Sequence, residues 1–314
     1  MNKLPLQTRI TILNMLVEGS SMRSISRITG VSINTVTKLL EDAGKACAAY
    51  HDTTVRNVKA RNVQCDEIWS FCYAKEKNVA AAKSAPEGSG DVWTWTAIDR
   101  DTKMILAFEV GDRSAATARD FMDDLADRLA TRVQLATDGH KAYLEAVEGA
   151  FGMDVDYAML VKLYGDATGY KGHEKKYSPA ECTGTRKELI SGSPVKEPVS
   201  TSHVERQNLS MRMGMRRFTR LTDGFSKKLE NHLHMLSLYF VHYNFVRIHK
   251  TLKCTPAMAA GVSTTLQGMT WLAGIVEAAA PKPGARGPYG EKTIQTETLP
   301  LRLEGWPPAS RLAR

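Results

Sequence analysis

The spacing of apolar residues predicts that the chain begins with three helices. Over residues 7–52, apolar side chains recur every three or four positions, which is the period of a helix with one buried face. The first predicted helix covers 7–18, a shorter second helix ends at Thr29, and Ser32 is placed to cap the third. The apolar residues expected to face inward on the second helix are Met22, Ile25 and Ile28.

The second and third helices form a helix-turn-helix pattern. A short turn that contains Gly30 joins them, and the third helix begins with polar residues. In this motif the start of the last helix enters the major groove of DNA. The side chains expected to contact bases or phosphates are Arg23, Arg27, Ser32, Asn34, Thr35, Thr37 and Lys38. The pattern leaves open a three-helix bundle that serves packing alone.

From residue 63 the pattern changes to the shorter period of β-strands. Runs rich in β-branched and aromatic residues predict strands, and helical spacing between the later runs predicts two helices. The expected strands cover 63–73, 91–98, 103–110, 133–137 and 155–163, and the expected helices cover 116–130 and 141–151. The polar segment 166–202 predicts a linker or mobile loop, and the proline-rich segment 281–314 predicts a poorly ordered tail.

These patterns predict an α/β protein with three regions. Residues 1–62 would form a helix-turn-helix domain, and residues 63–262 would form a mixed-sheet domain that includes the 166–202 loop. Residues 263–314 would form a C-terminal segment that is mostly tail.

The composition is that of a globular protein and excludes several classes. Of 314 residues, 43% are hydrophobic and 24% are charged, which excludes wholesale disorder and fibrous proteins. No apolar run reaches the roughly 18 residues that a membrane span needs, and the start of the chain lacks an apolar secretion signal. Five cysteines without a C-x-x-C pair disfavour a disulfide framework or a zinc site and predict a reducing cytoplasm.

The net charge of +8 is distributed unevenly along the chain. Residues 1–62 carry +5, residues 63–202 carry −6, and residues 203–253 carry +7. Two basic blocks that flank an acidic one suit a nucleic-acid-binding protein whose centre holds cations. Solvated helix faces would give the same totals, so charge alone leaves both interpretations open.

Carboxylates lie in the predicted sheet where burial would be costly. Asp66 and Glu67 fall inside the first strand, and Asp138 falls where the fourth strand stops. Neighbouring strand ends bring such groups together, and paired carboxylates are natural ligands for hard divalent cations. Alternation places Asp66 and Glu67 on opposite faces, so only one of them is expected to point into a shared site.

The helix that opens near residue 202 carries a third acidic candidate, Glu205. Ser202 and Glu205 match a capping box, which is a purely structural explanation for this glutamate. Further along, Glu205, Leu209, Arg212 and Arg216 recur at helical spacing, which places one carboxylate and two arginines on one face. Such a stripe would suit a DNA backbone beside a metal site.

Taken together, these residues resemble the DDE transposases of bacterial insertion sequences. The resemblance covers most of residues 20–260 and rests on motifs in a fixed order after the helix-turn-helix. They are DEIW at 66–69, TDGHKAY at 137–143, HVER at 203–206 and YNFVRIHKTL at 243–252. Arg212 lies seven residues after Glu205, as a basic residue does in the family, whereas Ile248 stands where a proline is common.

The resemblance implies a ribonuclease H-like catalytic domain that cuts and joins DNA. It assigns Asp66, Asp138 and Glu205 as the catalytic residues that bind two Mg²⁺ or Mn²⁺ ions, and it selects Asp66 over Glu67. Glu67 would then be an edge or solvent residue or would touch the N-terminal domain, and His203 would either support the site from behind or be a surface histidine. The implied partners are the terminal repeats of the element, the target DNA and further copies of the chain. A regulator with an inactive catalytic domain and a metal-dependent nuclease without strand transfer remain open as alternatives.

The remaining histidines and cysteines are interpreted as packing residues. His232, His234 and His242 share a predicted helix with several leucines, where packed or surface histidines are commoner than metal ligands. Cys65 and Cys72 are expected to be small core residues.

Overall fold

The N-terminal residues form three helices, as the apolar spacing predicts. The computed structural model describes residues 4–165, 182–219 and 223–280, and its first helices are α1 Leu6–Val17, α2 Met22–Thr29 and α3 Ile33–Thr54. The Ser21 hydroxyl accepts the backbone N–H of Ser24 and so caps α2, which ends at Gly30 in the left-handed conformation. Ser32 precedes α3 without a capping hydrogen bond from its side chain.

One inward residue of α2 was predicted wrongly. Ile25 is fully buried, but Ile28 is 70% exposed. The helix has only eight residues, and only the turn around Ile25 is buried. Ile28 lies beyond that turn, near Gly30. An exposed isoleucine therefore lies beside the residues predicted to bind DNA.

A six-stranded mixed sheet forms the centre of the chain. Its strands are β1 Asn62–Cys72, β2 Gly90–Asp99, β3 Ile105–Gly111, β4 Val133–Asp138, β5 Val155–Tyr164 and β6 Cys182–Ser191. They lie in the order β3-β2-β1-β4-β5-β6. The first three strands pair antiparallel, β1, β4 and β5 pair parallel, and β6 returns antiparallel to β5. This order is the ribonuclease H-like arrangement that was expected, with β6 added at the edge.

Helices cover both faces of this sheet. They are α4 Glu76–Val79, α5 Ala115–Arg128, α6 Ala142–Phe151, α7 Ser202–Gly214, α8 Leu229–Val241, α9 Pro256–Ala259 and α10 Met269–Ala278. On one face Trp95 of β2 contacts aromatic rings of α5 and α6. On the other face Phe108 of β3 contacts Phe240 of α8 and His51 of α3. Alternation along the strands thus separates two aromatic layers of the core.

Strand β6 lies within the segment that was expected to be a linker or loop. Residues 182–191 are exposed or half-buried throughout, so they show no apolar alternation that the sequence could reveal. The strand forms through backbone pairing with β5 instead, from Tyr164↔Cys182 to Tyr157↔Ser191. The rest of the expected loop at 166–181 lies outside the described residues, as does the predicted tail at 281–314.

The long helix α3 connects the N-terminal helices to the sheet. It packs along α8, and the hydrophobic cluster runs without interruption from α1 through α3 to the sheet. Residues 269–278, which belong to the predicted C-terminal segment, form α10 and pack on α1 and α3. Arg9 forms an ion pair with Glu277 at 3.3 Å, and the Tyr50 and Trp271 rings meet edge to face at 5.2 Å.

The packing role of the histidines and cysteines is confirmed. His232 is fully buried and His242 is 8% exposed, while Cys65 and Cys72 lie in the core. All five cysteines are free thiols. Across the described ranges, no helix combines the length and the apolar character needed to cross a membrane.

Glu109 of β3 gives the fold a testable dependence on pH. Burial raises the pKa of Glu109 to about 8, with the nearby Asp124 and Asp120 adding to the effect against one backbone hydrogen bond from Val110. A carboxyl group that is protonated in the folded chain and ionised in the unfolded chain costs stability as the pH rises. Glu109 should therefore destabilise the fold progressively between its unfolded pKa near 4.5 and its folded pKa near 8.

We expect Glu109→Gln to remove this part of the pH dependence. The variant should match the wild-type free energy of unfolding at pH 4 and exceed it at pH 9 by roughly 1–3 kcal/mol, since a neutral amide of similar size needs no proton. Urea unfolding across this pH range measures the difference. Glu145→Gln, on the exposed side of α6, is the matched control. Parallel pH profiles for wild type and Glu109→Gln would contradict the prediction.

Candidate active site

Two predicted carboxylates meet where neighbouring strands separate. β1 and β4 pair in parallel from Asn62↔Gln134 to Gln64↔Ala136, and the pairing stops before Asp66 and Asp138. The two strands therefore open toward their carboxyl ends, where side chains can converge without a ladder between them. Asp138 is the last residue of β4, which leaves its carboxylate at the rim of the sheet.

The third carboxylate of this cluster is Glu67. One oxygen from each of Asp66, Glu67 and Asp138 lies within 4.8 Å of the other two. The expectation that only one of the first two could reach a shared site was therefore wrong, and Glu67 is buried rather than an edge or solvent residue. The side chains do leave β1 on opposite faces, but Asp138 projects from a strand end, where both faces are within reach.

Different neighbours hold the two adjacent carboxylates. On the α7 side, the Asn208 side-chain amide donates to the Asp66 carboxylate at 2.8 Å. On the other side, Arg113 lies 3.3 Å from Glu67, and the His140 ring lies 3.7 Å from the same glutamate oxygen. The neighbours thus confirm that alternation along β1 still governs which face each residue contacts.

Burial raises the pKa values of both β1 carboxyl groups. Desolvation and the nearby Asp138 charge raise the pKa of Asp66 to about 7 and that of Glu67 to about 8. The Arg113 guanidinium pairs with the Glu67 carboxylate and so reverses part of the increase in its pKa. The same guanidinium lies 3.7 Å from the Asp138 carboxylate. The cluster thus concentrates more negative charge than the neighbouring side chains offset, which is the condition that favours a divalent cation.

Helix α7 is fixed to the sheet two residues before Asp66. The Gln64 side-chain oxygen accepts the backbone N–H groups of His203 and Val204 at 2.9 and 3.2 Å. The first turn of a helix has free N–H groups, so a buried amide oxygen is a suitable partner. This contact determines where the third predicted catalytic residue, Glu205, enters the site.

Glu205 lies beside the cluster and not within it. Its carboxylate accepts Lys162 at 2.6 Å and also bonds the Thr201 hydroxyl. Thr201, not Ser202, precedes the helix, so the predicted Ser202–Glu205 capping box does not form. Burial lowers the pKa of Lys162, whereas the carboxylates of Glu205 and Asp66 raise it. The net change is an increase. The Lys162 ammonium group therefore interacts with the negative charges of both Glu205 and Asp66.

The other residues predicted near Glu205 occupy different surroundings. Arg216 is exposed just beyond α7, and Arg212 is half-buried in its last turn. Burial and the charges of Lys103 and Arg100 lower the pKa of His203, which places this ring toward the turn between β2 and β3. The structure thus brings together Asp66 and Asp138, with Glu205 adjacent through Lys162.

The sequence interpretation missed three residues around the cluster, namely Asn208, Arg113 and Lys162. The helical stripe chosen from the sequence ran through Leu209, but Leu209 is 41% exposed and Asn208 is 4% exposed. Asn208 lies three residues after Glu205, a spacing that could have identified it. Arg113 lies just after the end of β3, and Asp138 lies at the end of β4. This shared position at a strand end is the feature of the sequence that could have identified Arg113.

The cluster forms the floor of a pocket of about 670 Å³. Carboxylates and cations line it side by side, namely Asp66, Glu67, Asp138, Arg113, Lys141 and Lys162. A negative floor can hold cations, while the basic groups can contact the oxygens of an anionic substrate. The charges are therefore arranged for a phosphate held against metal ions.

The residues predicted to contact DNA lie on an accessible surface of α2 and α3. Thr37 is half-buried, and exposed side chains make up the rest of the set: Arg23, Arg27, Ser32, Asn34, Thr35 and Lys38. Lys38 pairs with Asp42 at 3.1 Å, one turn further along the exposed face. These groups can be reached by a partner without unfolding either helix.

No protein-family model and no curated protein matches the chain. Among solved structures, the Mos1 transposase paired-end complex with left transposon end is similar over 50% of this chain and 60% of that chain, at 14% sequence identity and a TM-score of 0.21. The chain thus spans less than two thirds of that transposase. The fold assignment rests on strand order and pairing, not on this similarity.

Proposed function

We propose that this protein is a DDE transposase of an insertion sequence, which binds the ends of its element and catalyses metal-dependent cleavage and strand transfer. The observation that carries the proposal is the cluster of carboxylate oxygens within 4.8 Å at the diverging ends of β1 and β4. The sequence motifs around Asp66, Asp138 and Glu205 support it.

The residues present fit the divalent cations that this chemistry uses. Carboxylate oxygens are the donors that Mg²⁺ and Mn²⁺ prefer, and in the described part of the chain no group forms a hydrogen bond with the buried Oε2 of Glu67. We assign Asp66, Asp138 and Glu205 as the holders of two Mg²⁺ or Mn²⁺ ions. When bound, such ions lower the pKa of an attacking hydroxyl and neutralise charge on the phosphodiester.

Side chains of the chain itself would position the DNA strand in this pocket. The Arg113 guanidinium and the Lys162 ammonium line it, so they can donate to phosphate oxygens beside the carboxylates. Arg212 and Arg216 extend this basic surface along α7 and beyond. Asn208 holds Asp66 in place through its side-chain amide, and His203 would support the start of α7.

The helix-turn-helix would bind the terminal repeats. A different part of the chain would then engage the target DNA. Asn34 and Thr35 are exposed at the start of α3 and would contact base edges, and Arg23 and Arg27 lie on α2, where backbone contacts are expected. Two element ends must be brought together before both are joined to a target, so we propose that the DNA-bound form is a homo-oligomer.

We expect Arg27→Ala to weaken binding to all DNA sequences. Loss of one phosphate contact should lower affinity by about threefold to tenfold and reduce the slope of log K against log salt by about 1. Asn34→Ala should instead reduce discrimination between element ends and random DNA. Fluorescence anisotropy over a salt series measures both effects. Arg119→Ala, exposed on α5, is the matched control and should bind as wild type.

A strand-transfer assay tests the proposed function directly. The full chain is mixed with a pre-cut element end that carries a free 3′-hydroxyl, a plasmid target and Mg²⁺. Joined product that depends on Mg²⁺ is the expected result. Cleavage of an intact end in a parallel reaction, without joining of the pre-cut end, would indicate a nuclease, and specific binding without either reaction would indicate a regulator. Either of these two outcomes would overturn the proposal.

A further inference from the structure

We infer that Glu67 is a direct ligand of the divalent cation, so that the cation site of this chain uses two adjacent residues of β1 together with Asp138. This inference rests on the proposed function and extends its ligand set, since the sequence motifs alone select Asp66 and leave Glu67 aside. Four features of the structure carry it.

The first is the cost of burying Glu67 in its present state. The residue is 8% exposed and its side chain only 1%, and its buried Oε2 atom has no hydrogen-bond partner among the residues that the structure describes. An unpaired buried carboxylate oxygen is expensive, so folded proteins rarely keep one without a compensating partner. A cation bound to this oxygen would supply the partner that the protein side chains do not.

The second feature is an independent unpaired oxygen at the same place. Asn208 is 4% exposed and its amide donates to Asp66, yet its buried Oδ1 atom also lacks a hydrogen-bond partner within the described ranges. An amide oxygen is a hard donor of the kind that divalent cations accept, directly or through a bound water. Two buried oxygens from different elements are therefore unsatisfied at one cluster of carboxylates.

The third feature is the separation of the carboxylate oxygens. Atoms from Asp66, Glu67 and Asp138 lie within 4.8 Å of one another. Oxygens that share one octahedral Mg²⁺ at about 2.1 Å lie roughly 3–4 Å apart, so small side-chain rotations would bring all three onto a single ion.

The fourth feature is the exposure of the Arg113 side chain, which now offsets part of the negative charge of the cluster. Its side chain is 41% exposed and stacks over the Trp93 ring, 4.8 Å from its centroid, while it contacts both Glu67 and Asp138. Glu67 is enclosed and cannot follow it into solvent. A divalent cation can therefore displace Arg113 from the cluster and leave Glu67 in place as a ligand.

Mn²⁺ binding to the full chain without DNA tests this inference. The electron paramagnetic resonance signal of free Mn²⁺ decreases as the ion binds, which gives an affinity independent of strand transfer. Glu67→Gln should weaken binding by about tenfold or more, as Asp138→Asn should, because each removes a carboxylate ligand. Glu148→Gln, exposed on α6, should bind as wild type. Thermal unfolding without metal establishes that each variant is folded.

A second variant separates a ligand from a residue that acts through Arg113. If Glu67 binds the cation, Arg113→Met removes a competing charge and should tighten Mn²⁺ binding severalfold, opposite to the effect of Glu67→Gln. If Glu67 serves only to hold Arg113, Glu67→Gln should no longer weaken binding in the chain that carries Arg113→Met, which would overturn the inference. Equal affinity of wild type and Glu67→Gln would overturn it as well, with metal dependence intact. A wild-type chain that binds no Mn²⁺ would overturn both the inference and the proposed function.

Discussion

Replacing Asp138 by asparagine is expected to reduce strand transfer by at least about 10³-fold while leaving binding to element ends within about twofold. Asp138 ends β4, and one of its carboxylate oxygens lies within 4.8 Å of an oxygen of each β1 carboxylate, with which we propose that it holds the cation. Asparagine keeps the shape of the side chain but removes the negative charge. The helix-turn-helix lies on α2 and α3 and does not include this residue.

The assay compares the rate of joining and the affinity for element ends in the same preparations. Asp66→Asn and Glu205→Gln should behave like Asp138→Asn, because we assign all three carboxylates to the same ions. Asp154→Asn, an exposed carboxylate near the end of α6, is the matched control and should keep the wild-type rate. Wild-type joining by any of the three active-site variants would refute the assignment of that residue.

The second large effect is expected at Gly44, where α3 lies closest to α8. A Cβ atom at this position would lie 2.3 Å from Cβ and 2.4 Å from Cα of His234. The obstacle is backbone and not the end of a flexible side chain, so the two helices must separate. Gly44→Ala should therefore lower the free energy of unfolding by about 3 kcal/mol or more, as severe overpacking does.

Two other helical glycines provide matched controls for Gly44→Ala. Gly149 of α6 and Gly274 of α10 would place a Cβ in open space, with no atom within 4 Å. Alanine at either position should stabilise the chain by about 0.5–1 kcal/mol, because it restricts the unfolded backbone without a new clash. Urea unfolding measures all three variants. An increase in stability for Gly44→Ala comparable to the controls would contradict the close approach of α3 and α8.

This helix contact has a consequence for DNA recognition. The first turns of α3 expose the residues predicted to read bases, while its later turns are buried against α8 and α10. A single 22-residue helix thus connects the predicted DNA-reading surface to the layer of helices behind the sheet. Variants that move α3, such as Gly44→Ala, should alter both stability and the placement of DNA relative to the pocket.

Local periodicity was sufficient for most of the fold because local burial created it. The helices α1, α3, α5 and α6 each bury one face, and the strands β1–β5 are rich in buried β-branched, aromatic and other apolar residues on both faces of the sheet. Both kinds of element therefore leave a pattern in the residues. β6 buries no such face, since it is held by backbone pairing to β5, and backbone hydrogen bonds leave no signature in side-chain type. Ile28 was assigned inward because a pattern cannot show where a short helix runs out of neighbours.

The same distinction applies to the candidate site, where some residues could be identified from the sequence and others could not. Asp66 and Asp138 could be identified from the sequence, because a carboxylate inside a strand and another at a strand end are locally unusual. Glu67 could not be joined to them, because alternation describes one strand and not the opening between β1 and β4. Asn208 and Arg113 enter from α7 and from the end of β3, at a distance along the chain that no local pattern spans.

Local sequence was enough to identify which residues carry charge, most of the helices and strands, and which carboxylates lie where burial is costly. These properties depend on each residue and its near neighbours along the chain. Only the tertiary structure decided that Glu67 joins the cluster, that Lys162 holds Glu205 beside it, and that Arg113 offsets part of its charge. These contacts depend on the divergence of two strands and on helices that pack from both faces, which are set by the three-dimensional balance of burial and pairing.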